Sequence, residues 1–332
     1  MKIIVFVGLG AVLYSCSSGA KKKDSPESRV DIIRFEQKLF GTDIYAFHDT
    51  TNLLLAQYPD FMALFSSRII EIGDTASEAF SDNLLYFVSD KSIHQLAVRT
   101  KEVFADFSMQ QQGLTEGLVA YRKNFPEKPL PVVYTYVSGL NQSIVTGQSI
   151  LGISLDKYLG VGEPLYEKVY PPIPLYLRQT MQPDFIVPDA IKAWVLSDID
   201  YQPAKKTLLT QILYEGMAYY ITGQLLPEVP DSLLWGFTAK QLEFCANSEK
   251  EMWAYLIDQK LLFTSDRFRI AQFTNPGPFT KDFMSESPAR AAVWIGYRII
   301  ESFMERNKSV SLSELAGMND YQEILNQSRY NP

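Results

Sequence analysis

The chain is short of cysteine, histidine and positive charge, and each shortage removes a class of function. Among 332 residues there are 2 cysteines, Cys16 and Cys245, and 2 histidines, His48 and His94. A disulfide-stapled scaffold needs more cysteines than that, so core packing must hold the fold together. No histidine follows His94. The C-terminal half therefore has no H-E-x-x-H pair, no histidine-based zinc triad and no local Ser-His-Asp arrangement. His48 and His94 read as a surface residue and a cap or core residue. Neither a G-x-G-x-x-G motif nor a phosphate loop occurs. Acidic residues outnumber basic ones 38 to 31, for a net charge of −7. Such a chain is a poor candidate for nucleic-acid binding, where basic patches carry most of the affinity.

What is present begins at the N-terminus. Lys2 precedes an apolar run, Ile3 to Leu13, followed by Tyr14-Ser15-Cys16. One positive charge, ~10 apolar residues and a small residue make the layout of a secretory signal peptide. The run is shorter than the ~20 residues that span a bilayer. A cysteine directly after a small residue resembles a bacterial lipobox. That resemblance implies cleavage before Cys16, acylation (palmitate among the chains) of its sulfur and amine, and a membrane anchor. Residues 1–15 are then the signal peptide. Residues 16–29, small, polar and carrying Lys21-Lys22-Lys23, read as a lipidated tether. From about Val30 to residue 332 no stretch reads as a linker and no repeat is visible, so one domain is expected.

Hydrophobic residues make up 46% and aromatics 13%, enough for a large core. From Ile32 to Phe125 apolar residues recur at three- and four-residue steps, which predicts helices, one of them over Lys101 to Phe125. Short β-branched runs at 131–137, 143–145 and 149–155, with Gly139 and Gly147 in the turns, predict a small sheet. A proline-rich stretch, Pro164 to Pro188, cannot be regular helix. Helices are expected again over Pro188–Leu196, Lys206–Leu226, Thr238–Leu262 and Pro288–Asn307, with short ones at Leu312–Gly317 and Tyr321–Gln327. The fold class is α+β, mainly α-helical.

Three of these helices could carry a site. Between Thr207 and Leu226 the only formal charge is Glu215, on a stripe with Leu208, Ile212 and Tyr219. A carboxylate on a buried stripe must be paired or protonated. Thr238 and Gln241 form a capping box for the next helix, where Glu249 stands in an apolar stripe with Leu242, Cys245, Trp253 and Leu256. Ser287 as N-cap and Pro288 at the first position would start the third. Its Gly296 would let another helix approach closely. Arg290 and Arg298 are candidate partners for Glu215 or Glu249.

Several segments together resemble the gliding-motility lipoprotein GldB family of the Bacteroidetes. They are the lipobox, Arg34-Phe35-Glu36, Tyr158-Leu159-Gly160, Tyr214-Glu215-Gly216, Gly236-Phe237-Thr238 and Asn247-Ser248-Glu249 with Trp253. Pro276-Gly277-Pro278-Phe279, Ser287-Pro288-Ala289-Arg290 and Trp294-Ile295-Gly296 continue the series. The resemblance implies an envelope lipoprotein that supports gliding and its secretion system by stabilising a partner lipoprotein; Ser17-Ser18 after the lipobox carries no inner-membrane retention signal, so the outer membrane, facing the periplasm, is expected. A second likeness is more distant. Tyr214-Glu215-Gly216-Met217-Ala218 looks like a segment of gluzincin-type zinc peptidases in which the glutamate is the third metal ligand. There a helix near Val187–Ser197 would supply two histidines, and here it has none. The likeness implies a zincin-like fold that has lost its metal: a pseudoenzyme with no cofactor, whose degenerate site would include Tyr214, Glu215, Glu249, Trp253 and Arg290. The alternatives are an envelope hydrolase using Glu215 and Glu249, and a periplasmic ligand-binding protein.

Overall fold

The computed structural model describes residues 30–332. The expected signal peptide, the tether and Cys16 lie outside the described residues.

A four-stranded mixed sheet divides two hydrophobic cores. Its strands are β1 (Ile32–Arg34), β2 (Val132–Tyr136), β3 (Ile144–Gly147) and β4 (Ile150–Ser154), in the order β1-β2-β4-β3. β1 and β4 run parallel to β2, with Ile32 opposite Val133 and Val132 opposite Ile150. β3 is an antiparallel edge strand on β4. Alternation along the strands sorts side chains between the cores. Tyr134 and Tyr136 join an aromatic cluster with Phe35, Phe61 and Phe65. Phe61 stacks on Tyr134 at 4.1 Å and 3°. Val133, Val137, Leu151 and Ile153 belong to the larger core, which holds most of the helices.

The centre of that larger core is the Leu208–Leu225 helix, apolar on nearly every face and started by a Thr207–Thr210 capping box. It crosses the Ala291–Arg306 helix backbone against backbone. A Cβ on Gly216 would lie 2.4 Å from Gly296 C, and one on Gly296 would lie 1.9 Å from Ile212 O. Only glycine at both positions permits that approach. Among the described residues no helix is long and apolar enough to cross a membrane.

The expected helices form, with corrections. The region after Ile32 opens on a strand, because β1 is three residues long and gains its hydrogen bonds from β2, about a hundred residues away. The expected Lys101–Phe125 helix is two helices, Lys91–Val103 and Ser108–Asn124. Buried Phe104 and Phe107, rings 6.0 Å apart, occupy the break. The expected Thr238–Leu262 helix is Ala239–Asn247 and Glu249–Asp258, broken at Ser248. The Thr238–Gln241 capping box is present. The Pro288–Asn307 helix begins only at Ala291, after Arg290 at φ 62°. Ser287 does not cap it. Its buried hydroxyl accepts from the Thr280 N–H at 3.2 Å, and Thr280 Oγ1 accepts from the Ala291 N–H at 3.1 Å. A loop residue therefore supplies the capping oxygen.

Candidate functional site

The Ile186–Asp198 helix buries Ile186, Ile191, Trp194 and Val195 and turns Asp189 and Lys192 toward the Leu208–Leu225 helix. Lys192 Nζ donates to Asp189 Oδ1 at 3.2 Å and to the Tyr219 hydroxyl at 3.4 Å. Tyr158, just after β4, donates to Asp189 Oδ2 at 3.1 Å. From the opposite side comes Arg290. Its Nη1 donates to the Tyr219 hydroxyl at 2.5 Å and its Nη2 to the Trp235 carbonyl at 3.1 Å. The Tyr219 ring stacks flat on Trp235, centroids 4.0 Å apart. Gly236, at φ 67°, ends the Asp231–Trp235 helix and turns the chain so that Phe237 follows at once. The Arg290 guanidinium lies 5.8 Å over the Phe237 ring.

These groups meet at a cavity of about 200 Å³. Asp189, Lys192 and Arg290 supply its charge. Phe185, Trp235, Phe237 and the Pro276-Gly277-Pro278 turn supply its walls. Burial works against both cations, but Tyr219, together with Asp189 for Lys192 and Glu215 for Arg290, outweighs it and holds both above their ordinary pKa values. The cavity is therefore a cationic floor between aromatic walls.

The five residues singled out for a site do not form one cluster. Arg290 lines the cavity. Glu215 is one turn from Tyr219, is half-buried and does not line the cavity. Its hydrogen-bond partner is not an arginine but Gln211, which donates to its Oε1 at 2.7 Å. Burial raises the Glu215 pKa, against the opposing pull of Gln211, Arg290 and Lys192. Tyr214 turns away, stacking on Tyr201 at 4.3 Å and donating to the Leu196 carbonyl. Glu249 belongs to a separate cluster: Arg298 Nε donates to its two oxygens at 3.2 and 3.0 Å, and Tyr330 donates at 2.9 Å. Trp253 packs edge-on against Tyr330 at 5.2 Å. Thus Arg298 takes one of the two carboxylates it was matched with, and Arg290 forms no ion pair among the described residues.

The groups that sequence reasoning missed are Asp189, Lys192 and Tyr158. The i, i+3 spacing of Asp189 and Lys192 was the available sign, but it marks any exposed helix face equally. Among the described residues no three His, Cys, Asp or Glu side chains group as metal ligands. The charges acting on Glu215 come from Arg290 and Lys192, which are not metal donors.

The architecture is that of a mainly helical α+β protein with a cationic, aromatic-walled cavity beside its central helix. The family described as gliding motility protein GldB matches residues 18–332, and the chain belongs to that family. No curated protein and no solved structure matches the chain. Membership implies a role in gliding motility and points to the cell envelope as its site of action.

Proposed function

We propose that this protein is a lipoprotein, anchored through Cys16 in the outer membrane and facing the periplasm, that supports gliding and its secretion machinery by binding and stabilising a partner lipoprotein without catalysing a reaction. One observation carries this reading. Segments spread from Tyr158 to Arg290 converge on a single cavity in which Asp189 is held by Lys192 and Tyr158, and Arg290 by Tyr219 and the Trp235 carbonyl. Tyr158, Gly236, Phe237, the Pro276-Gly277-Pro278 turn and Arg290 all contribute to the cavity or its hydrogen bonds. Lys192 holds Asp189, and Glu215 is bound by Gln211. Asp189 accepts from Tyr158 on one oxygen and Lys192 on the other, an arrangement suited to holding a cation in place. The distant zinc-peptidase likeness enters only as a reading of origin; the charges that act on Glu215 are those of Arg290 and Lys192.

The test is genetic complementation with paired protein levels. Glu215→Gln is expected to restore gliding and the normal level of the partner lipoprotein. Loss of gliding in Glu215→Gln at normal levels of both proteins would instead point to chemistry at Glu215. Affinity purification of the full-length protein from its native envelope should bring a stoichiometric gliding or secretion lipoprotein with it.

A further inference from the structure

We infer that the cavity between the Ile186–Asp198 helix and Arg290 is a binding site for a carboxylate carried on an apolar or aromatic body, with Arg290 as its principal anchor and Lys192 as the second cation. The inference does not depend on the absence of catalysis.

Charge selects the ligand. Two cations and one carboxylate line the cavity, so its formal charge is 2 − 1 = +1. Glu215 is not part of the lining, but its carboxylate still acts on Arg290 and Lys192. A single negative charge is therefore the most the site can match; a phosphate dianion would leave at least one charge uncompensated in a half-buried site.

Donor count points the same way. A guanidinium carries five N–H donors. Two Arg290 hydrogen bonds go to protein acceptors, Tyr219 and the Trp235 carbonyl, which leaves 5 − 2 = 3 for a ligand. A planar fork presenting several donors suits a planar carboxylate. The two internal bonds set the plane of that fork in advance. The side chain is also held from below, because the backbone of Arg290 sits at φ 62° and the next N–H is bound by Thr280.

Shape sets the body of the ligand. A volume of about 200 Å³ is below the ~300–1,000 Å³ of typical drug-sized sites, so it takes one amino-acid-sized group. Phe185, Trp235 and Phe237 line it as buried rings, 8%, 2% and 5% exposed, so the apolar surface they present is small. Two sources of such a group exist: a free small carboxylate, and the C-terminal residue of a polypeptide. Leu175 and Phe279, 57% and 41% exposed, lie on the segments bordering the cavity and would meet the preceding residues of a polypeptide.

The experiment is calorimetric titration of the full chain in detergent with N-acetyl-phenylalanine and with N-acetyl-phenylalaninamide, which differ only in the carboxylate. The acid should bind at least about tenfold more tightly than the amide, the ratio expected for losing a charge-assisted pair. Arg290→Gln should lose that discrimination, and Arg290→Lys should retain part of it. The wild-type comparison needs no variant, so a folding defect in Arg290→Gln leaves the result intact. Equal binding of acid and amide, or no binding of either, would overturn the assignment. So would discrimination that persists unchanged in a folded Arg290→Gln, Lys192→Met double variant. A hexapeptide ending in phenylalanine, as free acid and as amide, then separates the sources. Tighter binding of the peptide acid than of the capped amino acid assigns the site to a polypeptide terminus, and equal binding assigns it to a free carboxylate.

Discussion

Glu215 shows how burial sets the behaviour of a single group. Its folded pKa is raised above the ordinary value of 4.5, with burial as the leading cause. Below the ordinary value both folded and unfolded chains hold the proton, and the group's contribution to stability is complete. As pH rises, the unfolded chain gives up its proton first, so stability is lost as pH passes through the folded value. Glu215→Gln removes that loss, and the glutamine oxygen can still accept from Gln211. The melting temperature of Glu215→Gln is expected to match wild type at pH 4 and to exceed it at pH 8. Thermal melts across that range check it; a variant less stable at pH 8 would show that the ionised carboxylate is needed by the fold.

Asp156 is the opposite kind of buried acid. It is fully buried just after β4, and burial raises its pKa, yet it accepts from the Ser138 and Leu140 N–H groups and from the Ser154 hydroxyl. These bonds tie the 138–140 loop to the end of the sheet. In Asp156→Asn one acceptor becomes an NH2 group facing donors. The expected cost is about 1–3 kcal/mol, since a buried donor left without a partner is penalised in full. Urea unfolding measures it.

Among elements, the decisive contact is the crossing of the Leu208–Leu225 and Ala291–Arg306 helices. Gly296→Ala places a methyl group 1.9 Å from the Ile212 carbonyl oxygen, so the two backbones must separate. Overpacking of that kind costs about 3 kcal/mol or more. Because Tyr219 and Arg290 ride on or beside these two helices, the same substitution should also weaken any ligand held by Arg290. Chemical denaturation, paired with the titration described above, checks both effects. An alanine that left stability unchanged would mean that the helices do not approach this closely.

At the scale of the whole molecule, the proposed anchor and the fold are expected to be separable. Among the described residues, the two cores and the sheet draw on side chains from Val30 to Ile324. Cys16→Ala is therefore expected to move the protein from the membrane to the soluble fraction while leaving its melting transition in place. Fractionation followed by a thermal melt decides it. Loss of the fold along with the anchor would mean that the N-terminal residues contribute to the core.

The sequence by itself determined what depends on local order. Apolar spacing marked the Leu208–Leu225 helix as buried, a Thr-x-x-Gln pattern marked the start of the Ala239–Asn247 helix, and Gly296 marked a close approach. Motif order along the chain was enough to point to the family. Tertiary structure alone decided the rest. β1 exists because β2 pairs with it across about a hundred residues. Arg298 rather than Arg290 reaches Glu249, because Arg298 lies within the Ala291–Arg306 helix whereas Arg290 precedes it at φ 62° and donates to Tyr219 and the Trp235 carbonyl. The cavity is assembled from four separate stretches of chain, and no local window holds more than a part of it. Periodicity records which face of a helix is buried. It does not record what the buried face meets, because that is set by contacts between residues far apart in sequence.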